Sequence, residues 1–189
     1  MATFVSRPHE LVGYLEAARS EIALIHECER LLEMQFSYVA KLQFIKFSTV
    51  IDAVNCNQHE TNVKTRIAMH RYKNEIQNCR SRVNTYRSTL RLRGKNMQVL
   101  LKWMNRYDPE LYSFKTRLHR AEDMLQQVAR IEARAARFDE LCKNQLVLID
   151  SIISAFSRST LRDEPFDEKA RFAMIVKNED QFNLLAFPV

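Results

Sequence analysis

Glycine and proline are nearly missing. The chain has 2 Gly and 4 Pro in 189 residues, where average usage would place roughly 13 and 9. Sheet proteins need many tight turns, so this scarcity excludes most all-β architectures. From Pro8 to Pro109 no proline interrupts the chain, and Gly13 and Gly94 are the two glycines. Long apolar runs are missing as well. The longest, such as LVLI and AMIV, are about four residues, far short of a membrane span. No Gly-rich phosphate loop, nucleophile elbow or HExxH motif is found. The four cysteines, Cys28, Cys56, Cys79 and Cys142, follow no ligand or disulfide spacing. Cys56-x-x-His59 lacks the second pair a zinc site needs. No Glu-x-x-His pair exists to complete a helical carboxylate metal site. The expectation is a protein without enzymatic activity, metal, cofactor or small-molecule substrate. The start, MATFVSRPHE, has no apolar signal core, and free thiols fit a reducing, intracellular setting.

What remains reads as helix. Apolar residues make up 46% of the chain, enough for a core. Leu11, Leu15, Ala18, Ile22, Ile25, Leu32, Phe36 and Val39 recur at 3/4 spacing. A second seam of Leu24, Cys28, Leu31, Tyr38, Leu42 and Ile45 predicts a wide apolar face on the same helix. The Asn-rich NCNQHETN at 55–62 predicts a turn, with Thr61 or Asn62 capping the next helix. Then Met69, Ile76, Val83, Leu90, Met97 and Met104 recur every seven residues. Three residues after each come Tyr72, Cys79, Tyr86, Arg93, Leu100 and Tyr107. This is a heptad seam with Arg93 as its violation, and the adjacent Gly94 predicts a kink or weak point. Asp108-Pro109-Glu110 predicts a stop and a restart. The third seam holds Leu111, Phe114, Leu118, Ala121, Leu125, Val128, Ile131, Ala135, Phe138, Cys142, Gln145, Ile149, Ile152 and Phe156.

The predicted fold is all-α: an elongated three-helix antiparallel bundle or coiled coil with a short C-terminal extension. Its helices would cover about 7–54, 60–107 and 109–157. Residues 158–165 would be a linker and 166–189 a docking segment, with Phe182, Leu184, Leu185 and Phe187 as its apolar contacts.

Charge is uneven. Residues 61–107 carry twelve Lys or Arg against Glu75 alone, while 8–56 and 108–157 are slightly acidic. Within RYKNEIQNCRSRVNTYRSTLRLRGK, residues 71–95, Arg66's heptad successors Lys73, Arg80 and Arg87 flank the seam. An antiparallel hairpin would set residues 80–95 opposite Glu21, Glu27, Glu29 and Glu33. Arg82, Arg91 and Lys95 fall on other faces and read as solvated. The candidate partner-binding basic face is therefore Arg80, Arg82, Arg87, Arg91, Arg93 and Lys95. Met97, Trp103 and Met104 beside Lys102 and Arg106 form a soft apolar spot, read as core or as a peptide groove.

These features favour a structural subunit whose partners are other coiled-coil chains, or an acidic surface such as a microtubule. The alternative is a basic helical module that binds nucleic acid. No recognised reading motif supports it, and the interleaved tyrosines are explained by the seam. In its long helices the chain resembles small subunits of spindle, kinetochore and tethering complexes, such as augmin. That architectural resemblance implies a cytoplasmic, cytoskeletal setting.

Overall fold

A computed structural model describes residues 8–56, 59–108, 110, 114–158, 177–178 and 180–186, with the side chains of 8, 43–56, 59–62, 65 and 155–158 left aside. Three long helices, α1 (Pro8–Cys56), α2 (His59–Met104) and α3 (Lys115–Arg158), pack against one another. A short helical segment, α4, covers 180–186. Among the described residues there is no strand. The protein is an all-α helical bundle.

The long helices follow from the near-absence of breakers. α1 and α2 run unbroken through Gly13 and Gly94 respectively. α2 begins at His59, before Thr61 and Asn62, so neither is its cap. α2 ends through tightened turns, with the amides of Arg106 and Tyr107 bonding the carbonyls of Trp103 and Met104 at 3.1 and 3.0 Å. The predicted restart at Asp108-Pro109 does not occur there. Asp108 Oδ1 instead accepts from the Glu110 amide at 3.0 Å, a turn made by the same side-chain chemistry that caps helices. α3 opens at Phe114, whose carbonyl takes the amides of Arg117 and Leu118 at 2.9 and 3.0 Å.

The chain divides into two compact units, and each long helix contributes to both. The boundaries fall after Leu32, Asn84 and Ala135. In the first unit, Glu10 meets Tyr107 and Glu21 meets Arg93, so α1 and α2 run antiparallel. Arg91 meets Glu132 while Gly94 meets Val128, so α2 and α3 do too. The core of this unit holds Ile25, Leu32, Leu90, Met97, Met104, Phe114, Ala121 and Ala135, each nearly inaccessible. In the second unit, Tyr38 meets Glu75 on α2, while Lys73 and Arg80 meet Asp150 and Asp139 on α3. Its core holds Phe36, Val39, Met69, Tyr72, Ile76, Val83, Phe138, Cys142 and Ile149.

The heptad seam of α2 is fully buried at its first position in every repeat from Met69 to Met104. Each such side chain contributes on the order of 1.5–3 kcal/mol, against about 0–1 for a surface ion pair. The seam holds the bundle and the charges adjust it. The second seam expected on α1 is mostly outside the core. Cys28 is buried, but Leu24 and Tyr38 are exposed, and the Tyr38 hydroxyl donates to Glu75 at 2.9 Å.

Gly94 is a contact rather than a weak point. It is buried in α2, and an added Cβ would sit 3.1 Å from Val128 Cγ1 of α3. At Gly13 the same addition meets nothing within 4 Å. Gly13→Ala should therefore gain about 0.5–1 kcal/mol from helix propensity. Gly94→Leu should lose about 1–3 kcal/mol or more by overpacking. Urea unfolding of both variants checks the contrast, and equal effects would refute the close approach.

Candidate partner-binding site

The basic flank of α2 is turned mainly toward α3. In the second unit, Lys73 Nζ reaches Asp150 at 2.6 Å and Arg80 Nε reaches Asp139 at 2.5 Å. Asp139 also accepts from Asn84 at 3.3 Å and Lys143 at 2.8 Å. In the first unit, Arg87 and Arg91 share Glu132, the former at 3.6 Å. The expectation that the acidic first helix would meet Arg80 and Arg87 is corrected, since both pair with α3; it is Arg93 whose Nη1 meets Glu21 of α1, at 3.3 Å. The other α1 acids are engaged elsewhere: Glu27 with Arg30 of its own helix, Glu29 with Gln127 of α3. Arg91, read as solvated, is paired. Of the six predicted basic residues, Arg82 and Lys95 are exposed and make no ion pair among the described residues. The sequence carried a signal for this arrangement: Glu132 and Asp139 are seven apart, as are Arg80 and Arg87.

Burial would raise the Asp139 carboxyl, but the bonds from Arg80, Lys143 and Asn84 and the Arg80 charge outweigh it. They hold it at about 2, below the ordinary 3.8. A depressed carboxylate contributes stability above its unfolded pKa and loses it as pH falls through the folded value. Stability should therefore drop between about pH 4 and pH 2, by on the order of 2 kcal/mol from this group. Asp139→Asn should flatten that drop in urea titrations at pH 5 and pH 2.5. An unchanged drop would contradict the assignment.

The expected soft spot separates into core and surface. Met97 and Met104 are fully buried. Trp103 is 39% exposed, stacked on Tyr14 at 6.2 Å and covered by the Arg106 guanidinium at 3.9 Å. Leu92 and Val99, each more than half exposed, share its outer stripe of α2 at 4/7 spacing.

The tail turns inward on the second unit. Phe182 is 1% exposed, with its ring edge against Phe138 at 5.6 Å. Leu185 and Ala186 are buried beside it. Asn178 Nδ2 donates to Gln145 Oε1 at 3.3 Å, and Gln145 Nε2 donates to the Tyr72 hydroxyl at 3.4 Å. Gln145 thus sits fully buried in an apolar seam because its amide is bonded on both sides. Phe182 and Leu185 are consumed by internal packing, and Leu184 stays 61% exposed. Phe187 and residues 159–176, which include most of the expected linker, lie outside the described residues.

The first unit has a feature that linear reading missed. Between α1 and the start of α3 lies a groove of about 670 Å³, lined by Val12, Leu15, Glu16, Ala18, Arg19, Ile22, Ala23, His26, Arg117 and Arg120. Five of its ten lining residues are aliphatic, and of these Ala18 and Ile22 are buried. Arg19, Arg117 and Arg120 are exposed and make no ion pair among the described residues. These arginines lie outside the basic segment, and α1 and α3 are far apart in sequence.

Cys28, Cys79 and Cys142 are free and buried. Burial raises all three thiols, that of Cys79 to about 12. They are packing residues rather than nucleophiles. Among the described residues no group of three or more His, Cys, Asp or Glu is placed to hold a metal. Cys56 and His59 have side chains outside that description. No helix of the described residues is long and apolar enough to cross a membrane. No family model matches the chain, and no curated protein or solved structure matches it either.

Proposed function

We propose that the chain is a non-enzymatic structural subunit of a multiprotein assembly, joined to other helical chains by coiled-coil packing. The observation that carries this reading is apolar surface left outside the core of the first unit. Val12, Leu24, Leu92, Val99 and Trp103 are all exposed there, and Val12 also lines a groove between α1 and α3. Leu92, Val99 and Trp103 share one stripe of α2, and exposed apolar surface grouped in this way is characteristic of interaction sites. The spindle or microtubule cytoskeleton is the setting we infer from the architectural resemblance. Other coiled-coil subunits are its partners.

The internal pairing of Arg80, Arg87, Arg91 and Arg93 weighs against the nucleic-acid reading. Those charges are partly neutralised before any polyanion arrives. The experiment is to isolate the tagged full chain from its own cells with nuclease treatment, and separately to purify it alone. A stoichiometric protein complex that survives nuclease and salt, with poor behaviour of the lone chain, is expected. A well-behaved lone monomer that binds RNA or DNA at physiological salt, with affinity falling steeply as salt rises, would overturn the proposal.

A further inference from the structure

We propose that the α1–α3 groove of the first unit seats an acidic amphipathic helix of a partner protein, as the fourth helix of that unit. This rests on the subunit reading above and names the partner's chemistry.

The second unit is built from four helical segments, parts of the three long helices plus α4. There the chain supplies its own fourth element, with Phe182, Leu185 and Ala186 buried. In the first unit only three helical segments are described, and the groove lies between two of them. On α1 its lining runs from Val12 to His26, about 21 Å or four helical turns. An incoming helix of that length would present an apolar stripe every 3/4 residues to Val12, Leu15 and Ala23.

Charge selects the flanks. Arg19 stands on the α1 wall, and Arg117 and Arg120, one turn apart, stand on the α3 wall. Glu16 is the one acidic residue in the lining. Arg80, Arg87 and Arg91 of α2 have α3 carboxylates facing them; among the described residues these three make no ion pair. Acidic residues on both flanks of the incoming stripe would complete them, as flanking charges set partner choice in coiled coils. A polyanion is a poorer occupant. Half of the lining residues are aliphatic, and no Phe, Tyr or Trp is among them to stack a base, His26 being the one ring.

The test uses the full chain and a fluorescein-labelled peptide of about 18 residues, or five turns. It carries leucine at heptad core positions and glutamate on both flanks. A matched peptide carries lysine on the flanks. The variant is Arg19→Glu/Arg117→Glu/Arg120→Glu, three exposed positions without an ion pair among the described residues, whose change leaves the core intact, as circular dichroism and urea unfolding would verify. Fluorescence anisotropy should show the glutamate peptide binding the native chain and binding the variant at least about tenfold more weakly, with the preference inverted for the lysine peptide. No binding of the glutamate peptide overturns the proposal. So does equal binding of it to both chains, or equal binding of both peptides. A short RNA that binds the native chain and is lost in the variant to the same degree also overturns it. The triple variant, expressed in the protein's own cells, separates this claim from its parent. If it still assembles with its partners, the groove proposal fails while the subunit reading stands. If the native chain forms no complex, the subunit reading fails.

Discussion

Phe138→Ala should destabilise the protein by about 3–5 kcal/mol, a large fraction of the roughly 5–15 available to a domain. Phe138 is fully buried. Its ring lies 4.8 Å from that of Phe36 on α1, tilted by 38°, and 5.6 Å from that of Phe182, nearly edge-on at 75°. Both geometries suit the ring quadrupole. One side chain therefore ties α1, α3 and the tail segment together, and truncation removes two aromatic contacts and opens a cavity. Phe182→Ala separates the tail from the rest. It should cost less, about 2 kcal/mol, and lower the urea m-value, because the surface under α4 would already be exposed in the folded state. Hydrogen exchange at 180–186 should rise in that variant while α3 stays protected. A loss under about 1 kcal/mol for Phe138→Ala would mean that the three elements do not share a core.

At Glu21 and Arg93 the expected result is a recovery. Glu21 Oε1 accepts from Arg93 Nη1 at 3.3 Å and from Asn96 Nδ2 at 3.1 Å. Glu21 Oε2 and Arg93 Nε are buried without a hydrogen bond among the described residues. The pair is thus incompletely satisfied at a seam position that would otherwise be apolar. Removing one member leaves the other partly buried and uncompensated. Glu21→Leu and Arg93→Leu should each cost about 2 kcal/mol, below the 3–5 of a fully buried pair because some solvent remains. The double variant should return to within about 1 kcal/mol of the native chain or exceed it, since two leucines fill a helical interface without desolvating charge. Urea unfolding of the four chains gives the cycle. Additive losses would show that the two side chains act independently.

The fold was legible because the core repeats. Met69, Ile76, Val83, Leu90, Met97 and Met104 sit at a fixed period, and a period is a property of one helix read alone. What was misread depended on a second helix. Gly94 was read as a weak point because glycine costs helix stability by itself. Its closeness to Val128 belongs to the α2–α3 interface. Arg91 was read as solvated and Arg93 as a violation of its seam for the same reason. Their partners, Glu132 and Glu21, are chosen by how the helices register, and a restart misplaced at Pro109 shifts any register guessed for α3. Leu24 and Tyr38 were placed in a seam because apolar character does not tell which side a neighbour occupies. The groove framed by Arg19, Arg117 and Arg120 left no linear trace, because it exists only where two distant segments of the chain lie side by side.

Surface unused by this chain's own core should belong to partner chains. Cross-linking mass spectrometry on the complex isolated from the protein's own cells tests it most directly. Links to other proteins are expected from Lys95 and Lys102, both exposed on the first unit's part of α2, and from Lys115 at the start of α3, with Lys73 linking mainly within the chain to its α3 neighbours. Links confined to this chain at all four lysines would contradict it.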